Sequence, residues 1–521
     1  MHKINCRIHL LFTLLFLPVM VHAQLDRPGA TMITIEEKVQ RDLNHRVFYE
    51  IFIRSFCDSD NDGIGDLNGI TSRLDYLAQL GITGLWLTPF HPSPSYHKYD
   101  VLDYRAVDSV YGTLDDFRNL VTEAHKRNIL VLMDLVANHT AYDHPWFQAA
   151  LKNDPVYKSY YVWKSNDDED DHNWHHPRNG NGNNNAERYY GFFSSVMPDL
   201  NYDNPAVRQA MIDIGKWWLK ETAVDGFRLD AAQFIYEAAD TAANNSWWKE
   251  FTDALKTEKP DVITIGEVWN KKEIVATYMQ SLTGAFNFEL SWDLLKMLQQ
   301  EKNDQLIEKL LVTKSLYDDF STSYADPVFL SNHDVNRIMS DLNNNTEKAK
   351  LAAAIYLTLP GTPFIYYGEE LGMRGKKPDE WIREPFLWDK RHKDKGQTTW
   401  EKPKYSTAKN VEPLTLQQGK DGSLYKTYAK LIAVRNTYHA LASQEMNAVT
   451  GAPEPMLLYE RGTGENKILV LHNLSADVVQ YNMPEQYAAL HNVVYQSSGK
   501  ITVLETGVSL PPYATLLLSV K

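Results

Sequence analysis

The sequence predicts an α/β protein: a closed parallel (β/α)8 barrel with a subdomain inserted after strand three and a C-terminal antiparallel β-sandwich. Eight short apolar runs alternate with amphipathic segments between residue 47 and about residue 440, which is typical of a parallel sheet wrapped by helices. Residues 140–205, rich in Asn, Gly, His and Trp, interrupt the third unit. From about residue 445 apolar residues recur at alternate positions, as in antiparallel strands.

The eight strand-like runs, in chain order, span 47–53, 82–90, 129–136, 224–230, 262–268, 285–290, 327–334 and 362–368. Helix-like segments lie between them. One example is 113–128, whose apolar residues recur at helical spacing: Leu114, Phe117, Leu120 and Val121. An open doubly wound sheet is the alternative, but no Gly-rich phosphate loop follows an early strand.

The insertion is too long for a structureless loop, so we expect a small irregular subdomain there. The alternating runs at the C-terminus predict a separate sandwich domain. The predicted boundaries are a signal peptide at 1–23, the barrel at 24–139 and 206–442, the inserted subdomain at 140–205 and the C-terminal domain at 443–521.

The N-terminus predicts export to the periplasm or the extracellular space. Lys3 and Arg7 precede an apolar run that is too short for a spanning helix with stop-transfer flanks, and Ala23 marks a plausible cleavage point. A buried helix is the alternative. Once the signal is removed we expect no membrane contact, and only Cys57 remains, so no internal disulfide is possible.

The charge balance limits the class of partner. Lys and Arg number 53 against 67 Asp and Glu, for a formal charge of −14. An acidic surface disfavours nucleic acid and anionic lipid as partners. The charge does not argue against a neutral substrate. We also expect the protein to be a monomer.

Three carboxylates fall at the ends of predicted strands: Asp230 after strand four, Glu267 after strand five and Asp334 after strand seven. The carboxyl ends of barrel strands converge on one rim, which carries the active site. Arg228 and His333 flank the acids. A single acid at a strand end is usually a solvated residue, whereas three with a cation indicate a functional site.

Cleavage of a glycosidic bond with retention uses this combination of groups. It needs an ionised carboxylate as nucleophile and a protonated carboxylic acid beside it. Arg228 lies two residues before Asp230 on one strand, points to the same side and favours the ionised form. Val268 and Trp269 offer Glu267 a less polar setting, which favours the protonated acid.

Four blocks, DLVANH, GFRLDAA, GEVW and FLSNHD, resemble in order those of the α-amylase family, glycoside hydrolase family 13, and MPDLN resembles a fifth. The resemblance spans nearly the whole mature chain. It implies that Asp230 is the nucleophile, Glu267 the acid/base and Asp334 the carboxylate that grips sugar hydroxyls. The implied substrate contacts are Tyr99, His139, Arg228 and His333.

Two further comparisons with the family concern the substrate pocket and a second calcium site. The stretch REPFLW resembles exo-acting relatives, in which the Arg pairs with an Asp behind the terminal glucose; Arg383 and Asp100 hold these places. Many α-amylases carry Lys-His after the nucleophile block, where the His helps to bind a calcium ion. Gln233 and Phe234 stand there instead, which argues against that second calcium site, whereas Asn138 and Asp199 match other parts of it.

The loop CDSDNDGIGDLNG predicts a structural Ca²⁺ site. Oxygen ligands at alternate positions with glycine turns suit this ion. The predicted ligands are the side chains of Asp58, Asp60, Asp62 and Asp66 and the carbonyl of Ile64. The loop resembles the calcium-binding first βα loop of some family members, and a turn cluster without metal is the alternative.

Together these observations predict a retaining hydrolase of α-1,4-glucosidic bonds in starch-like glucans or maltooligosaccharides. An exo-acting α-glucosidase or a glucan-transferring enzyme is the nearest alternative, because a covalent intermediate can react with water or with a sugar. A non-catalytic carbohydrate-binding or scaffold protein is more remote, since all three carboxylates are present.

Overall fold

The computed structural model describes residues 42–165, 173–178, 187–390, 393–487, 489–497, 501–504 and 507–520. The predicted signal peptide lies outside the described residues. Within them, no helix is both long enough and apolar enough to cross a membrane.

Eight parallel strands form the barrel, and the predicted fold class is confirmed. Their order in the sheet is β10-β11-β1-β2-β3-β7-β8-β9, and a parallel bridge between Gly284 and Ala325 links the two ends. The strands are β1 Phe48–Ile51, β2 Gly84–Leu87, β3 Leu130–Leu135, β7 Gly226–Leu229, β8 Ile263–Gly266, β9 Gly284–Ala285, β10 Pro327–Phe329 and β11 Thr362–Tyr366; β4 to β6 belong to the insertion.

The sixth predicted strand is mostly wrong. Only Gly284–Ala285 is a strand, and a helix begins at Phe288. The side chain of Asn287 caps this helix by accepting a hydrogen bond from the N–H of Leu290 at 3.0 Å. The alternation of apolar residues in AFNFEL favours a strand, but the cap at Asn287 starts a helix instead.

Apolar side chains that point inward fill the barrel. Phe48 and Phe364 stack with ring centroids 4.6 Å apart, and Trp86 and Phe286 lie 5.2 Å apart. A Cβ atom at Gly84 would lie 2.4 Å from the Phe48 ring, so only glycine leaves room for that ring.

The longer α-helices surround the barrel, and each buries an apolar face. In Leu114–His125, Thr113 and Asp116 form a capping box, and Phe117 and Leu120 are buried. The longer helices are Leu114–His125, Pro205–Thr222, Thr241–Lys256, Phe288–Gln300, Leu306–Asp318, Thr346–Thr358 and Leu424–Thr437. The short ones are Ile53–Phe56, Leu67–Ser72, Leu74–Leu80, Pro145–Leu151, Pro155–Lys158, Lys272–Thr277, Ile338–Asp341, Asp379–Ile382, Leu414–Gln417 and His439–Ala442.

The segment between β3 and β7 carries a small antiparallel sheet of order β4-β6-β5. Its strands are β4 Trp163–Lys164, β5 Trp174–His175 and β6 Arg188–Tyr190. A bridge between His139 and Asp199 ties the segment to the end of β3.

The C-terminal segment forms two antiparallel sheets, of orders β12-β13-β14-β19-β16 and β15-β18-β17. Their strands are β12 Met446–Ala448, β13 Met456–Arg461, β14 Ile468–Asn473, β15 Val479–Asn482, β16 Asn492–Gln496, β17 Thr502–Leu504, β18 Gly507–Leu510 and β19 Thr515–Ser519. Leu471, Leu510 and Leu516 belong to one apolar cluster that both sheets share. The exact domain boundaries stay a prediction.

Two buried glutamates follow β11. Tyr49 and Tyr76 donate hydrogen bonds to Glu370 at 3.1 and 2.6 Å, and Tyr428 and Ser331 donate to Glu369 at 2.9 Å each. Burial raises the pKa of each carboxyl to about 7, although these hydrogen bonds oppose the rise.

A raised acid pKa links this pair to stability. The folded state then holds more protons than the unfolded state between about pH 4.5 and 7, so stability falls as pH rises through this window. We expect a loss of up to roughly 3 kcal/mol per glutamate between pH 5 and 8. Denaturant titrations at pH 5 and pH 8 measure this change in the free energy of unfolding. The double variant Glu369→Gln/Glu370→Gln should show a much smaller change. Glu347→Gln, at an exposed helix position, should show the same change as the native protein.

Candidate active site

The three predicted carboxylates line one cavity of about 690 Å³ at the carboxyl ends of the strands. Asp230 follows β7 directly and Glu267 follows β8 directly, while Asp334 lies five residues beyond β10. Backbone bonds fix the first two ends: the N–H of Glu267 donates to the carbonyl of Leu229 at 3.0 Å. Asp230, Glu267 and Asp334 therefore lie in one cavity although they are far apart in the sequence.

Arg228 holds the two neighbouring acids together. Its Nη1 lies 2.6 Å from Oδ1 of Asp230, and its Nη2 lies 3.0 Å from Oε1 of Glu267. Nη1 also lies 2.9 Å from Oδ1 of Asp134. Because Asp230 and Glu267 bind adjacent nitrogens of one guanidinium, their carboxylates lie side by side.

Burial dominates the proton affinities of these two acids. It raises the pKa of Asp230 to about 6, with Arg228 lowering and Asp134 raising that pKa. Burial likewise raises the pKa of Glu267, which the charge of Arg228 opposes and the charge of Asp230 reinforces. Above about pH 6 Asp230 is ionised, and its negative charge helps Glu267 to keep a proton.

Ala231 adopts a left-handed backbone conformation, with φ at 48°. This conformation is uncommon for a residue other than glycine, and least expected for one such as alanine that has no side chain to form a local hydrogen bond. Here the N–H of Ala231 donates to Oε2 of Glu267 at 2.9 Å. The strained turn therefore ties the orientation of Glu267 to the backbone that follows Asp230.

His333 lies between two carboxylates. Its Nδ1 is 2.7 Å from Oε1 of Glu50, and its Nε2 is 3.0 Å from Oδ2 of Asp334. Burial lowers the pKa of His333, but Asp334 and Glu50 outweigh it and raise the pKa to about 10. Burial raises the pKa of Asp334, but His333 and Arg383 leave it well below its usual range. Asp334 is therefore ionised at neutral pH.

Tyr99 and His139 reach the same cavity. The Tyr99 hydroxyl lies 2.6 Å from Nε2 of His333 and 3.2 Å from Oδ2 of Asp134, and the Tyr99 ring stacks on His333. Nε2 of His139 lies 3.2 Å from the carbonyl oxygen of Tyr99. Burial lowers the pKa of His139 to about 4, so its ring is neutral.

The structure contradicts the predicted pairing of Asp100 with Arg383. Asp100 is buried and accepts hydrogen bonds from the hydroxyls of Ser93, at 2.6 Å, and Ser95. Arg383 lines the cavity and lies 3.0 Å from Oδ1 of Asp334. Local hydroxyl donors satisfy Asp100, so the arginine is free to bind an acid of the active site.

The predicted metal loop brings three of its carboxylates together. Oxygens of Asp58, Asp60 and Asp66 lie within 4.8 Å of one another. Asp62 lies outside this cluster, and its Oδ1 accepts the N–H of Ile64 at 2.7 Å. An all-oxygen set of three carboxylates fits a hard cation such as Ca²⁺.

At the place of the second calcium site the chain builds an apolar contact. Phe234 stacks on Phe192 with centroids 4.4 Å apart. The side-chain amide of Asn138 donates to the carbonyl of Phe234 at 2.6 Å. Aromatic packing thus links the insertion to the loop after β7.

Sequence reasoning assigned no role to Glu50, Asp134 or Asp379. Glu50 and Asp134 are acids within apolar strands, and an acid buried there must be paired, which was the available signal. Asp379 accepts a bond from Arg383 at 3.0 Å. It begins the short helix Asp379–Ile382, in a stretch whose sequence carries no strand or helix pattern that would place it.

A barrel rim that presents two adjacent carboxylates and a third acid to one cavity indicates a glycoside hydrolase. The family model described as alpha amylase, catalytic domain, matches residues 50–444, and the alpha-amylase SusG C-terminal domain matches 457–517. The chain belongs to the alpha-amylase family.

Several relatives match over most of their length. Alpha-amylase 3 of Dictyoglomus thermophilum is 42% identical, over 91% of this chain and 93% of that protein. A 4-alpha-glucanotransferase of Thermotoga neapolitana is 34% identical, over 82% and 95%. The crystal structure of an alpha-amylase from H. orenii is similar with a TM-score of 0.83 and 39% identity, over 91% of this chain and 99% of that one.

Proposed function

We propose that this enzyme cleaves α-1,4-glucosidic bonds in starch-like glucans or maltooligosaccharides with retention, as an α-amylase does. The observation that carries the proposal is the pair Asp230 and Glu267 on one guanidinium, that of Arg228. Retaining enzymes need their two carboxyl groups close together, whereas inverting enzymes leave room for a water between them. The similarity to Alpha-amylase 3 supports the same substrate class.

In the first step Glu267 gives its proton to the glycosidic oxygen as the bond to the anomeric carbon breaks. An Asp230 oxygen then bonds to that carbon, and the leaving sugar departs. In the second step the Glu267 carboxylate takes a proton from water, whose oxygen attacks the anomeric carbon and releases Asp230. The raised pKa of Glu267 suits the first role, and the ionised state of Asp230 above about pH 6 suits the nucleophile.

The groups around His333 are proposed to bind the sugar at the cleavage point. Ionised Asp334 accepts hydrogen bonds from two sugar hydroxyls. Protonated His333, whose ring nitrogens contact Glu50 and Asp334, holds the Asp334 carboxylate in place. The ring of Tyr99 offers a face for stacking. Arg383 and His139 line the same cavity and limit the space around this sugar.

Transfer to a sugar is the second candidate reaction. The covalent intermediate is common to hydrolysis and transfer, and the similarity to a 4-alpha-glucanotransferase supports this alternative. The cavity contains no pair of Asp100 with Arg383 that would close it behind a terminal glucose, which favours internal cleavage over exo action.

Calcium is proposed as a structural ion held by Asp58, Asp60 and Asp66. Two of these acids are buried, and Asp58 accepts N–H groups of Asn61 and Gly63 at 2.7 and 2.8 Å, which shape the loop. The ion would offset the repulsion among three carboxylates. The reaction itself needs no metal.

Export of a monomeric enzyme completes the proposal. The apolar run that follows Lys3 and Arg7 supports export. A polymeric glucan supplied from outside the cell does not cross a membrane, so an exported enzyme has direct access to it.

Replacement of the nucleophile tests the chemistry. Asp230→Asn should lower kcat on starch by about 10³-fold or more, since an amide cannot form the covalent intermediate. Its circular dichroism spectrum should stay native. Asp253→Asn, on the exposed face of helix Thr241–Lys256, should keep full activity. Undiminished turnover by Asp230→Asn would refute the assignment.

Product lengths separate the candidate reactions. Starch incubated with the enzyme should yield a mixture of short maltooligosaccharides, because the chain is cut internally. Release of glucose alone from chain ends would contradict the α-amylase assignment. Products longer than the substrate, formed from maltotriose, would identify transfer. Chromatography of the early products reads out all three outcomes.

Removal of calcium should lower the melting temperature. An ion bound only to the folded form at a hundredfold excess over its Kd stabilises by about 2.7 kcal/mol. A chelator should therefore destabilise the native protein, and added Ca²⁺ should restore it. Asp60→Ala should respond much less, whereas Asp62→Ala should respond like the native protein. Equal melting points with and without chelator would exclude the site.

A further inference from the structure

Two tryptophans form an exposed aromatic surface beside the active-site cavity. Trp269 lines the cavity and stacks on Phe288 with centroids 4.6 Å apart. Trp292, on helix Phe288–Gln300, lies 6.2 Å from Trp269. The two tryptophans are 40% and 46% exposed. Adjacent exposed aromatic rings form a contiguous apolar surface, a common feature of ligand-binding sites.

A groove of about 310 Å³ continues the surface at Trp292. Its polar lining consists of Lys272, Asn287, Glu289, Asp293, Lys309 and Thr313. A sugar ring has apolar C–H faces and a rim of hydroxyls. An aromatic ring beside several hydrogen-bonding side chains therefore matches the chemistry of a hexose unit.

We propose that Trp292 and this groove form an outer binding site for an α-glucan chain that leaves the active-site cavity across Trp269. The inference rests on the proposed function and extends it to chain length. The occupant is the substrate chain itself, because Trp269 belongs both to the cavity and to the exposed pair. A chain that passes Trp269 then meets Trp292, whose ring centroid lies 6.2 Å from that of Trp269.

The outer site makes the enzyme selective for long chains. A maltotriose bound across the cleaved bond is too short to use the outer site fully, whereas maltoheptaose extends over both tryptophans. The stacking contact with Trp292 is present in the ground state and in the transition state alike. It therefore acts on KM for long substrates and leaves kcat little changed.

Substitution of Trp292 tests the outer site. In Trp292→Ala the ratio of kcat/KM for maltoheptaose to that for maltotriose should fall about tenfold, mainly through KM. Trp292→Phe keeps an aromatic face and should retain most of the ratio. Phe320→Ala removes an aromatic residue that is 40% exposed and lines neither cavity, so it should leave the ratio unchanged. A native ratio in Trp292→Ala overturns the outer site.

Binding measurements keep this test separate from the test of the proposed reaction. In the Asp230→Asn background, calorimetry with maltoheptaose should show about tenfold weaker binding when Trp292→Ala is added. If the Asp230→Asn protein binds maltoheptaose equally well with and without Trp292→Ala, the outer site is overturned even if the native enzyme is active. Failure of the native enzyme to cleave either oligosaccharide overturns the proposed function alone, since the binding comparison does not depend on turnover.

Discussion

The active site depends on one buried cation. Arg228 is 1% exposed and contacts acids from three adjacent strand ends, Asp134, Asp230 and Glu267. A buried guanidinium must be paired, and three clustered carboxylates need a positive charge between them. Arg228 and the three carboxylates neutralise one another, so the ends of β3, β7 and β8 are held in one geometry. The proximity of nucleophile and acid follows from this constraint.

Four side chains of alternating charge form a second, largely buried network beside Arg228. Glu50, His333, Asp334 and Arg383 follow one another at distances between 2.7 and 3.0 Å. This alternation keeps His333 protonated although it is fully buried, and it keeps the partly exposed Asp334 ionised. Because the network connects β1 with the loops after β10 and β11, the sugar-binding charges are built into the closure of the barrel.

Surfaces outside the barrel strands shape what the cavity accepts. Phe193, from the inserted segment, lines one part of the cavity, and Trp269 lines another. This chain is similar over most of its length both to a protein named as an alpha-amylase and to one named as a 4-alpha-glucanotransferase. A shared fold does not fix the reaction, so we expect the choice of acceptor to depend on such surrounding surfaces. Loops tolerate change more readily than paired buried charges do.

The sequence alone determined the fold class, the eight strand positions apart from the sixth, and the carboxylates Asp230, Glu267 and Asp334. These features depend on local periodicity and on strand ends, which neighbouring residues encode directly. Only the tertiary structure decided that Arg383 pairs with Asp334, that Glu50 contacts His333, and that Asp62 lies outside the acidic cluster. Such choices depend on competition among partners far apart in the chain. Burial settles that competition, and burial exists only once the barrel has closed.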